Sequence, residues 1–323
     1  MRIVRYHEYG GPEVLRVEEA PTPQPAAGEV LIRTGAIGVN FIDMLLRRGA
    51  GPWPTSLPGA PSGDVVGTVA ALGDGVTSAT VGDRVVAHVM TGAYADYVTV
   101  AAGEVHPVPV GLGDTEASVL SSPGPVAVGV IRTGRLAPGE TVLVHAAAGA
   151  IGHLAVQLAR LAGAGTVIAT ASSPAKLAFA REYGADVAVD YTRPGWADEV
   201  RAATGGRGVD LILDSVGGEI LRTGIGLLAP AGRLVVYGMA SGERPETPAG
   251  WPRQSGPVTG FTMPEWTARH PDEVRSGQAE LVGHLVTGRL RVALHSTLPL
   301  TEAAKAHELF ESRAQIGRVL LLP

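Results

Sequence analysis

The chain has 323 residues, 45% of them hydrophobic and 18% charged, a balance that excludes a disordered polymer and leaves room for two packed domains. It has no cysteine, so disulfides, thiolate-bound zinc, iron–sulfur clusters and cysteine nucleophiles are excluded together. A formal net charge of −5 gives no electrostatic basis for binding nucleic acid or an anionic membrane.

The N-terminal stretch MRIVRYHEYGG has no apolar run of the length a secretory signal needs. From there to about residue 124 the pattern is β-rich. Short apolar runs (EVLIRTGAIGVN, DVVGTVAAL, DRVVAHV, AYADYVTV) are separated by Gly, Pro and Asp turns, which predicts a coiled antiparallel sheet or partial barrel. From Thr141 onward strands alternate with helices. TVLVHAA reads as a strand, HLAVQLARLAG as a helix and TVIATA as the next strand. Ser173 then caps a helix that has Pro174 at its first position and Gly184 at its end. DVAVD, a weaker helix at 197–203, VDLILD, EILRTGIGLL and RLVVYG continue the series, predicting a parallel sheet covered on both faces. After Gly238 the order fades into a Pro-rich stretch. Helices are expected near 275–288 and 301–312, and the closing strand RVLLL is expected to rejoin the first domain. The uncharged stretch between Glu140 and Arg160 is interrupted by His145, His153 and a glycine turn. It reads as strand–turn–helix rather than as a membrane span, so a soluble, cytoplasmic protein is expected.

The turn itself points to a ligand. Ala147, Ala148, Gly149, Ala150, Ile151 and Gly152 join a strand to a helix with minimal side chains, a degenerate form of the dinucleotide fingerprint. Such a turn lets backbone N–H groups and a helix N-terminus approach a pyrophosphate. About twenty residues further on, where an NAD site keeps a carboxylate for the ribose hydroxyls, this chain has Ala171, Ser172 and Ser173. Lys176 follows in the first turn of a helix, where a cation opposes the helix dipole unless an anion lies close by. A 2′-phosphate resolves that conflict, so NADPH is expected over NADH. There is no His-Glu-x-x-His pair, no closely spaced histidine cluster and no Gly-x-Ser-x-Gly elbow. No metal site is expected, and a lone histidine such as His88 or His145 reads as structural. A nicotinamide delivers hydride without a protein nucleophile.

The segments GVNFIDMLLRRG, PSGDVVGTVAALGDGV, VGDRVV, GAYADYV, PGETVLVHAAAGAIG, DSVGG, APAGRLVVYGMASG and ESRAQIGRVLLLP run from end to end of the chain. In order and spacing the whole sequence resembles zinc-independent medium-chain dehydrogenase/reductases, in the NADPH:quinone oxidoreductase (zeta-crystallin-like) branch. The resemblance implies an α/β fold, a Rossmann doubly wound parallel sheet (125–261) inserted in a GroES-like β-rich catalytic domain (1–124 and 262–323). It places cofactor contacts at Asn40, the 147–152 turn, Ser172, Lys176, Tyr191, Gly238, Met239, Ala240, Ser241, Phe261 and Arg318. Lys176, Tyr191 and Arg318 are expected to gather around the 2′-phosphate, and Asn40 to position nicotinamide and acceptor. Asp64 falls at the family's acidic position and is expected to be structural.

The chain also departs from that branch. Tyrosines that the branch often has near the substrate are replaced by Leu45 and Gly51, with Trp53 close by, and a Gly-Leu-Thr-Ala segment reads Gly124-Pro125-Val126-Ala127. Leu45 and Trp53 are expected to line a more apolar pocket with no phenolic proton donor. The leading expectation is an NADPH-dependent reductase of quinones or related conjugated carbonyls acting in an interdomain cleft. An enoyl reductase acting on an enone or thioester, and an NADPH-binding protein without turnover, are the alternatives. By analogy with the fold a homodimer is expected.

Overall fold

The computed structural model describes residues 1–51, 55–243 and 256–323. The chain divides into two compact units, residues 1–122 with 285–323, and residues 123–284.

The first unit begins with β1 (Arg2–Arg5) and β2 (Arg16–Glu19), paired antiparallel. Next come β3 (Glu29–Gly38), α1 (Phe41–Arg47), β4 (Gly63–Leu72), β5 (Arg84–Val89), β6 (Tyr97–Ala101), β7 (His106–Pro107) and α2 (Asp114–Ala117). β4 lies between β3 and β5, antiparallel to both. Two register shifts in the β3–β4 ladder, between Leu31 and Ile32 and between Thr34 and Ala36, add the local twist that lets a long strand coil. Val30, Ile32, Ile37, Val65, Val69 and Ala87 turn from these strands into one apolar core.

The second unit carries α3 (Pro123–Thr133), β8 (Thr141–Val144), α4 (Gly152–Leu161), β9 (Thr166–Ala171), α5 (Pro174–Glu182), β10 (Val187–Asp190), α6 (Trp196–Ala203), β11 (Val209–Asp214), α7 (Gly218–Ile225), β12 (Leu228–Val236), β13 (Val258–Gly260), α8 (Met263–Arg269) and α9 (Pro271–Val286). Among the described residues its six strands are all parallel, in the order β10-β9-β8-β11-β12-β13. Renumbered within the sheet this is 3-2-1-4-5-6, the doubly wound dinucleotide-binding order, whose direction reverses between β8 and β11. VDLILD of β11 is buried at every position, as a strand covered on both faces requires.

The chain then returns to the first unit through β14 (Leu294–Pro299), α10 (Ala303–Glu311) and β15 (Arg318–Leu322). β15 pairs antiparallel with β3 through Leu320–Gly38 and Leu321–Ile37, so the last strand does rejoin the N-terminal sheet. The second unit extends to His284 rather than stopping at residue 261. Packing explains the longer unit. The Phe261 ring lies 5.7 Å from that of Trp266 on α8, and both crowd Gly129 of α3. Gly277 of α9 sits against Val128 and Arg132 of the same helix.

Candidate cofactor and active site

In the second unit, the loop after β8 turns sharply. Ala146 has a φ of 50°, the left-handed region that costs a non-glycine residue about 1–2 kcal/mol. The Ala147 N–H donates to the Thr170 carbonyl at 3.0 Å and the Gly149 N–H to the Ala146 carbonyl at 3.0 Å. A Cβ on Gly152 would run into the Ala146 carbonyl and lie 2.8 Å from the Ala147 Cα, so only glycine lets α4 start this close to the turn. Ala147, Ala148 and Gly152 are buried, whereas Gly149, Ala150 and Ile151 are partly exposed. No side chain caps the N-terminus of α4; the His153 N–H donates to the Gly149 carbonyl at 3.2 Å, and the turn carries no bulk. A pyrophosphate fits such a place.

The neighbouring strand ends complete the cradle. The Ser173 Oγ accepts from the Lys176 N–H, and Pro174 opens α5. The Tyr191 N–H donates to the Ala171 carbonyl at 3.2 Å, which draws the end of β10 against the end of β9. Ser172, Lys176 and Tyr191 therefore lie at one corner of the sheet. The carboxylate nearest in sequence, Asp190, is turned to its own loop, where it accepts from the Thr192 N–H (2.9 Å) and Oγ (2.6 Å). Past β12, the Ala240 and Ser241 N–H groups donate to the carbonyls of Ser215 and Val216 at 3.0 and 2.8 Å. A Cβ on Gly238 would come within 2.7 Å of the Ser215 carbonyl. Gly238, Met239, Ala240 and Ser241 thus form a tight loop on the turn that follows β11. The Phe261 ring is buried in the α3–α8 packing, against Trp266.

The first unit contains a second constellation. Asp64 on β4 is directly opposite His88 on β5 and Gly38 on β3. Its carboxylate is fully buried and accepts four hydrogen bonds. Oδ1 takes Ser121 Oγ (2.9 Å) and His88 Nδ1 (3.0 Å), and Oδ2 takes Asn40 Nδ2 (2.9 Å) and Arg318 Nη2 (3.0 Å). Burial alone would raise the Asp64 pKa, but the His88 bond and charge, the Arg318 charge and the Asn40 bond together hold it below the usual carboxylate value. His88 is shifted the opposite way. Burial would lower its pKa, and the hydrogen bond and charge of Asp64 overcome that and raise it.

Arg318 differs from expectation. Its guanidinium is fully buried, with Nη2 on Asp64, Nη1 on Asn40 Oδ1 (2.9 Å), and Nε on Ser118 Oγ (3.2 Å). These bonds use the donors that a phosphate would need, so Arg318 belongs to this buried cluster and not to a 2′-phosphate site. Leu45 is half-buried on α1, and Trp53 lies outside the described residues. The link of His88 to Asp64 was not visible in the sequence, because the pair exists only through the β4–β5 register.

A doubly wound parallel sheet with a bare glycine turn, carried on one chain with a mostly antiparallel β-rich unit, defines a dinucleotide-binding protein. Residues 26–110 match the model for the alcohol dehydrogenase GroES-like domain, and residues 150–275 that for zinc-binding dehydrogenases. The chain is 36% identical to a quinone oxidoreductase of Pseudomonas aeruginosa, covering 99% of each chain. It is 37% identical to a 2-haloacrylate reductase of a Burkholderia species, over 98% of this chain and 97% of that one. The solved Escherichia coli quinone oxidoreductase complexed with NADPH superposes with a TM-score of 0.91 at 30% identity, with full coverage of both chains. The chain belongs to the medium-chain dehydrogenase/reductase family, in its quinone oxidoreductase branch, and is an oxidoreductase. Zinc, which one matching model is named for, does not fit the donors present. The chain has no thiolate, both Asp64 oxygens are already saturated by donors, and among the described residues no three His, Asp or Glu side chains converge.

Proposed function

We propose that this protein is a cytoplasmic, homodimeric, zinc-independent reductase that uses NADPH to reduce quinones or related conjugated carbonyls. The observation that carries the reading is the corner where β9 and β10 end. Ser172, Lys176 and Tyr191 stand there beside the glycine turn of a 3-2-1-4-5-6 sheet, and Asp190 is occupied by Thr192. A cation and two hydroxyls in place of an acid favour a phosphorylated ribose. The backbone of the 149–152 turn at the start of α4 would receive the pyrophosphate, and the 238–241 loop would flank the nicotinamide half.

Reduced nicotinamide supplies a hydride from its C4 when bound. The chain supplies binding and orientation. The Asn40 amide holds the reacting groups in register, and Leu45 gives the acceptor an apolar surface. Hydride transfer to a quinone leaves an anion that takes one proton from water, so the reaction does not need a positioned acid.

The test is the loss of reduced-nicotinamide absorbance with the purified protein, para-benzoquinone or a naphthoquinone, and NADPH or NADH. Turnover with NADPH well above NADH is expected, and no oxidation with any quinone or enone would overturn the reading. The similarity to a 2-haloacrylate reductase favours activated-alkene reduction as the second reading. Product analysis separates the two, since one yields a hydroquinone and the other a saturated C–C bond.

A further inference from the structure

We propose that the buried Asp64–Arg318 pair is a clamp that fixes which way the Asn40 amide faces, which makes Asp64, Arg318 and Gly38 positioning residues for hydride transfer. The inference rests on the reading above, in which Asn40 touches the reacting groups.

A primary amide has two orientations of similar shape, with oxygen and nitrogen exchanged. A carboxylate only accepts and a guanidinium only donates. Asn40 lies between one of each, with Nδ2 donating to Asp64 Oδ2 at 2.9 Å and Oδ1 accepting from Arg318 Nη1 at 2.9 Å. The flipped amide would set nitrogen against guanidinium and oxygen against carboxylate, losing two charge-assisted bonds at once. The backbone is pinned too, because the Asn40 N–H donates to Asp43 Oδ2 at 3.1 Å. Asp64 takes only one of the two Nδ2 hydrogens. The other, on a half-buried residue, is presented as a donor in a fixed direction, which suits a carbonyl oxygen of the nicotinamide carboxamide or of the acceptor.

Gly38 belongs to the same device. A Cβ there would overlap Arg318 Nη2 and lie 2.8 Å from its Cζ. The guanidinium can occupy its place only because the residue two before Asn40 has no side chain.

The experiment is a double-mutant cycle in steady-state quinone reduction with NADPH, using wild type, Gly38→Ala, Asn40→Ala and the double variant, with NADPH dissociation constants measured alongside. Asn40→Ala is expected to lower kcat about tenfold, the effect of about one positioned hydrogen bond. Gly38→Ala is expected to give a comparable drop with NADPH affinity unchanged, and to add nothing in the Asn40→Ala background. An equal further drop in that background would overturn the clamp, since Gly38 and Arg318 would then act independently of Asn40. Wild-type kcat in Gly38→Ala, alongside a slow Asn40→Ala, would overturn the clamp alone. Wild-type kcat in Asn40→Ala would overturn the role assigned to Asn40, and the clamp with it. Arg318→Lys, which keeps a charge for Asp64 but lacks the forked donor that reaches both partners, gives a second cycle read by the same criteria if Gly38→Ala does not fold.

Discussion

Replacing Arg318 with methionine tests the buried cluster most directly. Both members of the Asp64–Arg318 pair have no exposed side-chain surface, so solvent does not screen the interaction. Removing one partner of such a pair strands the other and costs about 3–5 kcal/mol. Arg318→Met leaves Asp64 with Ser121, Asn40 and His88, and Asp64→Asn strands the guanidinium and turns an amide N–H toward donors. Each single variant is expected to lose about 3–5 kcal/mol in urea unfolding followed by circular dichroism, with an unchanged denaturant slope. The double variant is expected to lose about 2 kcal/mol less than the two singles together, because neither side is left with an unpaired charge. The Arg318→Met deficit also depends on pH in a definite sense. His88 becomes the remaining cation on Asp64, and its folded pKa lies above the ordinary imidazole value. The deficit is therefore smaller below that pKa and grows as pH rises through it and His88 loses its proton. A loss under about 1 kcal/mol, the range of surface pairs, would show that water reaches the cluster and would refute the reasoning.

Three further outcomes are expected. Lys176→Ala weakens NADPH about tenfold in calorimetry and leaves NADH within about a factor of two, as loss of one partly exposed charge-assisted contact implies; equal weakening of both coenzymes would remove Lys176 from the 2′-phosphate site. Gly152→Ala forces α4 off the turn, and is expected to cost about 1–3 kcal/mol of stability and to weaken NADPH binding; unchanged binding would mean that the turn does not hold the coenzyme. Asp43 is fully buried, and burial pushes its pKa up to about 7 against the hydrogen bonds from Ser62, the Asn40 N–H and Tyr94. Its folded pKa lies above the unfolded one, so its contribution to stability is complete below about pH 4 and lost as pH rises through about 7. Wild type minus Asp43→Asn stability is expected to fall over that window, and a flat difference would contradict it.

Much of the second unit was legible because its physics is local. A strand buried on both faces must be an unbroken apolar run, as VDLILD is, and a helix that follows needs a start signal, as Ser173 and Pro174 provide. The glycine turn was legible for the same reason, since the crowding at Gly152 comes from residues only five and six positions earlier. Where residues 262–284 pack was not legible. α8 and α9 cover α3 through Gly129 and Gly277, and a glycine in a helix partner does not reveal which helix lies against it.

Arg318 shows the limit most clearly. An arginine opening an apolar strand looks the same in sequence whether it meets solvent, a phosphate or a buried carboxylate. What decides between them is a partner 254 positions away, brought close by the pairing of β15 with Gly38 and of Gly38 with Asp64. One local trace of that geometry was present in Gly38-Val39-Asn40. The backbone of Gly38 is extended strand, where any residue is allowed, so its lack of a side chain answers to something outside the backbone. Here that is a guanidinium whose two nitrogens hold the acid and the amide together. The cation that organises this polar centre is carried by β15, and it reaches Asp64 through the pairing of that strand with β3.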